Sequence, residues 1–255
     1  TAVFVNYDMI GTNNGWTGAN PHNAAVMNNV RMNALLCPSS PLPPFHVTSG
    51  SSFGNINILT NHYEGIAGAV NQPPLFTELR QGACCFCCGS PCGTSGSAGV
   101  VSGGGMLIPN SALPIRNALD GTSNIAILGE TSDWAWDYAN PSQPVREHIE
   151  PGWLYGPTMG TATGTVFGTG WAGNWQRVFN LTSVMYQPGY NNYLSPGLCA
   201  DHSSNAPFLS AHPAGSILGF TDGHVTFLPN DVDLVLLKRL CTRDDGGQAT
   251  LTAGQ

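Results

Sequence analysis

Charge is what this sequence has least of. Of 255 residues only 9% are charged, with Lys and Arg together numbering 8 and Asp and Glu 15, against roughly a quarter in an ordinary globular chain. The net charge of −7 and the scarcity of basic side chains leave nothing to neutralise a phosphate backbone, which argues against a nucleic-acid partner. Free monomers rely on surface charge to stay apart, so a chain this poor in it reads as a subunit covered largely by copies of itself. No run of 18 or more apolar residues occurs, so no membrane segment is expected within these residues, and no secretory signal pattern is present. The sequence also lacks a His-Glu-x-x-His zinc motif, a nucleophile elbow, a phosphate loop and a dinucleotide fingerprint. His202, His212 and His224, with Asp201 and Asp222, could be imagined as a metal-hydrolase set, but no motif assembles them, and no catalysis is expected.

Gly and Pro fill part of the space that charge leaves, at 32 and 19 residues. The most ordered signal lies between Phe208 and Phe227, where Asp222-Gly223 separates two alternating apolar runs. Asp-Gly in that setting predicts a hairpin, here with a type I′ turn, because Gly accepts the positive φ such turns demand. Ser216, Leu218 and Phe220 fall on one face of the ribbon and Ile217 and Gly219 on the other, with Val225 and Phe227 alternating with Thr226. Asp231 to Leu240 then reads as a short amphipathic helix with Asn230 or Asp231 as N-cap, Asp233 in its first turn and Lys238 and Arg239 in its last. The tail from Asp244 to Gln255 has no periodicity and is expected to fray or dock weakly. Upstream, Ala2–Tyr7 reads as a strand, Ala24–Leu36 as a helix running into Cys37-Pro38, and Asn55–Tyr63 with Glu64–Val70 as a strand, a turn and then small residues packing close. The whole is expected to be one α+β domain over residues 1–255, strand-dominated, with an antiparallel sheet, long Gly/Pro/Asn-rich loops and a short C-terminal helix.

Residues 71–114 read as a Cys/Gly-rich insertion. Cys84, Cys85, Cys87, Cys88 and Cys92 crowd within it, and Cys37, Cys199 and Cys241 complete an even set of eight. Disulfides are the expected fate in an oxidising compartment. The spacing lacks the C-x-x-C pairs of familiar zinc and iron–sulfur sites, though zinc, copper or a cluster stays open as an alternative, as do free thiols. Connectivity cannot be read from spacing. The middle of the chain is rich in aromatics (Trp134, Trp136, Trp153, Tyr155, Trp171, Trp175), which suit subunit contacts or, alternatively, stacking on sugars. Asn180-Leu181-Thr182 is a glycosylation sequon, with Asn180 as acceptor.

Three segments, in order, resemble one family. Cys37 and Pro38 stand in NALLCPS; Asp120, Gly121, Thr122, Ser123, Asn124 and Glu130 in DGTSNIAILGE; and His212, nine residues and then Asp222-Gly223 form the third, followed by the ending Thr242-Arg243-x-x-Gly246-Gly247. Asn61–Gly68 is a looser match, and Ser40 replaces an acid usual at its position. The pattern is similar to the large planctomycete family of prepilin-like proteins of unknown function, described by a prepilin-type N-terminal cleavage and methylation segment and this C-terminal signature. The resemblance implies a pilin-like or pseudopilin-like head, an extracellular or cell-surface location, and a leader and apolar N-terminal helix upstream that do not lie within these residues.

On that footing the chain is expected to be a structural subunit of a self-assembling filament or surface array, its partner being itself through head-to-tail contacts. Ala2–Tyr7 is a candidate strand for addition to a neighbour's sheet. The alternative is a secreted carbohydrate-binding or adhesion module. No cofactor is required by this reading. Side chains of Asp120 to Asn124 at a strand entrance are expected to bond backbone groups, while the oxygen-rich alternative is a calcium ion held by Asp120, Glu130 and Asp222, as pseudopilins hold one.

Overall fold

The protein's computed structural model describes residues 6, 21–50, 53–83, 99–109, 111–136, 144–145, 160–161, 178–198 and 204–247. Helix α1 (Pro21–Met27) is followed by β1 (Phe45–Gly50), β2 (Gly54–Leu59), β3 (Tyr63–Ala69), β4 (Ala126–Glu130), β5 (Leu181–Val184), β6 (Gly215–Phe220), β7 (Val225–Pro229) and helix α2 (Leu234–Leu240). Shorter strand pairs lie between them. The architecture is α+β and strand-dominated, as the alternating runs predicted.

The centre is a five-stranded sheet in the order β5-β3-β4-β6-β7. It is mixed rather than wholly antiparallel: β5 runs parallel to β3, while β3/β4, β4/β6 and β6/β7 are antiparallel. The parallel pairing is available because more than a hundred residues separate the two strands, ample for a crossover. One face carries the main core. Ile66, Ala126, Leu218, Phe220 and Leu228 from the strands meet Leu237 and Leu240 of α2. A second cluster joins Ala24 and Met27 of α1 to Ile56 and Ile58 of β2.

The hairpin forms where Asp-Gly predicted it, with a different turn. Gly223 adopts φ +92°, its amide donates to Phe220 O and the Phe220 amide to His224 O, both at 2.9 Å. Only one residue of the loop is left-handed, so this is a three-residue loop of type I followed by a Gly bulge, not a two-residue type I′ turn. Ser216, Leu218 and Phe220 face the core as their alternation requires, and Val225 and Phe227 point outward. Helix α2 starts later than predicted. Asp233, not Asn230 or Asp231, is its N-cap, its carboxylate accepting from the Leu236 amide at 2.8 Å.

Other expectations need correction. The predicted helix over Ala24–Leu36 breaks after Met27, where Asn29 takes φ 59°, a conformation Asn tolerates; a 3₁₀ turn over Asn33–Leu35 follows. Of the predicted strand Ala2–Tyr7 only Asn6 is described, and it is helical. Of the tail, expected to fray or dock weakly, the described residues 244–247 dock: Asp245 and Gly246 donate their amides to the Asp120 carboxylate, and Asp244 accepts two hydrogen bonds from Arg80. The described parts of the 71–114 segment pack into the fold through Phe76 in the core and through Gln81–Ala83 paired with Val100–Ser102.

Candidate functional site

The segments that carried the resemblance, far apart in sequence, meet at one place. Glu130 ends β4, where it pairs with Tyr63 of β3. Two peptide contacts extend the sheet beyond it: the Thr131 amide donates to His62 O at 2.9 Å and the Ser132 amide to Leu209 O at 2.6 Å. The loop after the 3₁₀ turn is stapled alongside. Its Cys37 amide donates to His62 Nδ1 at 2.8 Å and its Ser40 hydroxyl to Ser132 O at 2.6 Å. On the other flank, the chain entering β6 bends at Ala214, at φ 66°, and the His212 amide donates to Ser210 Oγ at 3.0 Å.

These constraints bring three side chains together. Cys37 Sγ lies 3.4 Å from His212 Nε2, which lies 3.6 Å from Glu130 Oε1. Glu130 is wholly buried and Cys37 nearly so, whereas the His212 side chain is 35% exposed. The carboxylate is oriented by the Ser132 hydroxyl, donating to Oε1 at 2.6 Å, and by the Ile217 amide, donating to Oε2 at 3.1 Å. Gly129 beside it has no room for a side chain, since a Cβ there would meet the Phe208 ring. A cleft of about 490 Å³ reaches the cluster at Cys37 alone, with His62, Arg31, Asn33 and Ser40 on its walls.

Burial pushes the Cys37 thiol up from its ordinary value; its neighbour Glu130 pushes the same way, against hydrogen bonds from the Ser39 backbone and Ser132. The Tyr63 phenol is raised by burial first and then by the charges of Glu130 and Cys37. A reactive thiolate needs the opposite surroundings. The imidazole geometry also differs from a nucleophile relay, in which one ring nitrogen serves the nucleophile and the other the acid. Here Nε2 faces both.

The calcium expectation is not assembled. Asp120 accepts from the Asp245 and Gly246 amides, and Asn124 Nδ2 bonds Asp120 O at 2.8 Å, so this loop serves backbone groups. Asp222 sits at the hairpin tip, accepting from the His224 amide and lying 2.6 Å from His224 Nδ1. Glu130 is at the far end of β4, roughly 13 Å along the strand from the residue nearest that tip. Among the described residues the one grouping of three metal-ligating side chains is Cys37, Glu130 and His212. His212 therefore leaves the imagined set with His224 and Asp222; Asp201 and His202 lie outside the described residues.

Cys37 and Cys241 were disulfide candidates and are free thiols. Cys241 is sealed in the main core, where burial raises its thiol strongly, and Cys37 turns its sulfur to His212. Cys84, Cys85, Cys87, Cys88, Cys92 and Cys199 lie outside the described residues, as do Trp153, Tyr155, Trp171 and Trp175. Trp134 and Trp136 are half-buried. The sequon lies at a strand rather than on a surface loop, with the Thr182 hydroxyl buried and donating to Ala206 O. The roles of His62 and Ser132 carry no motif in the sequence; the order of the signature segments was the one signal pointing to a shared site.

An α+β fold whose signature residues bring together a buried thiol, a buried carboxylate and a partly exposed imidazole is the class defined by this geometry. The chain belongs to the family described as "Protein of unknown function (DUF1559)", whose model matches residues 5–234. No curated protein and no solved structure matches it.

Proposed function

We propose that this protein is a structural, non-catalytic subunit of an extracellular filament or surface array, with copies of itself as partners through a pilin-like head. The observation that carries the reading is the outer face of the β6/β7 hairpin, where Val225 is 64% and Phe227 47% exposed. They stand opposite Gly219 and the half-buried Ile217, and the Phe227 ring lies over Gly215. β7 is also the outermost strand of the central sheet among the described residues. An apolar patch on an unpaired edge is a surface that another chain can cover. The scarcity of charge in the sequence supports the same reading, because little repulsion opposes copies meeting there. A contact of this edge with a different patch on the next copy propagates head to tail.

Negative-stain electron microscopy and high-speed pelleting of the native protein test it. Fibres or arrays are expected from the wild type. Phe227→Asp should raise the concentration needed for assembly about tenfold or more, since burying one aromatic side chain contributes roughly 1.5–3 kcal/mol, with circular dichroism unchanged. Dispersed particles at high concentration would remove the reading.

A further inference from the structure

We infer that Cys37, Glu130 and His212 form a zinc site that ties three segments of the subunit together. The donor atoms all lie within 4.8 Å of one another. Tetrahedral zinc with bonds of about 2.3 Å to sulfur and about 2.0–2.1 Å to nitrogen and oxygen sets its donors apart by about 3.5 Å for S and N and about 3.4 Å for N and O. The observed separations are 3.4 and 3.6 Å. The convergence of sulfur and carboxylate on one imidazole nitrogen, unsuited to a proton relay, is what three ligands aimed at one ion require.

The donor chemistry selects the ion. Thiolate is too soft for calcium or magnesium, and a thiolate, imidazole and carboxylate together suit zinc. Charge agrees: a thiolate and a carboxylate carry two negative charges, and no Lys or Arg is paired with Glu130, whose one ion-pair partner among the described residues is His212. A buried carboxylate without a cation is costly, and a divalent ion supplies the charge while the thiol proton passes to solvent. The ligands are held as such ligands usually are. Ser132 and Ile217 orient the carboxylate, leaving Oε1 a second lone pair, and His62 fixes the Cys37 backbone. Three protein donors leave one tetrahedral position for water. Cys37 and His212 are 175 residues apart, so the ion closes very long loops, where a crosslink removes most chain entropy from the unfolded state.

The test uses the full chain stripped with a chelator and titrated with zinc chloride. Uptake at the site should raise the unfolding midpoint by roughly 5–10 °C at a hundredfold excess over Kd. Cobalt(II) in its place should show a thiolate charge-transfer band and the intense d–d absorption of a four-coordinate ion. His212→Ala, at a partly exposed position, and Cys37→Ser should each abolish the midpoint shift, and the cobalt band should be lost in Cys37→Ser. Absence of any zinc-dependent shift in the wild type would overturn the inference. So would an equal shift and an unchanged cobalt spectrum in both variants, which would place the ion on thiols of the 84–92 segment instead. Neither readout depends on whether the subunit polymerises.

Discussion

Single residues in this protein are constrained by how closely the chain packs against them, and Gly129, beside Glu130, is an example. It sits between β3 and β6 in the sheet, and the Phe208 ring occupies the space where its side chain would stand. Gly129→Ala should therefore force the ring or the strand to move, at about 1–3 kcal/mol, measured by denaturant unfolding. The loss should exceed that of Gly219→Ala, where a Cβ would meet Leu128 Cβ at an ordinary 3.6 Å.

At the scale of elements, α2 is short and depends on both its cap and its apolar face. Seven residues form a marginal helix in water; Leu237 and Leu240 bury it against the sheet, and Asp233 satisfies the Leu236 amide. Asp233→Ala should cost about 1 kcal/mol, visible as a lower chemical unfolding midpoint with unchanged slope. The hairpin β6/β7 is held differently. Its tip is stacked, with the Phe220 and His224 rings 4.3 Å apart, and tied to the 120–124 loop by the Asp222 amide donating to Thr122 O at 3.1 Å.

For the molecule as a whole, the C-terminal ending works as a clasp. Arg80 pairs with Glu78 and Asp244, Arg243 donates to Gly105 O at 2.7 Å, and Asp120 accepts from the Asp245 and Gly246 amides. Partial burial alone would raise the Asp244 carboxyl, but its hydrogen bonds from Arg80, helped by the charges of Arg80 and Arg243, hold it below the ordinary value. A depressed carboxyl contributes stability that is complete above its unfolded value, about 3.9, and is lost as pH falls through the lower folded value. The stability difference between the wild type and Asp244→Asn should thus be flat above about pH 5 and shrink as the pH falls below about 4. Thermal unfolding across that range measures it.

What the sequence determined alone was what depends on near neighbours. Alternation of apolar residues set which side of β6 is buried, Asp222-Gly223 set the reversal of the chain, and the apolar spacing with Lys238 and Arg239 set a helix that ends at Leu240. Even there the cap and the turn type were misread, because Asn230, Asp231 and Asp233 all suit a helix start and Asp-Gly serves more than one loop length. Tertiary structure decided the rest. The parallel pairing of β5 with β3, the docking of the tail on Asp120 and Arg80, and above all the meeting of Cys37, Glu130 and His212 join residues between about 80 and 175 positions apart. No local pattern encodes such contacts: they exist because the sheet order places the end of β4 between the loop after α1 and the entrance to β6.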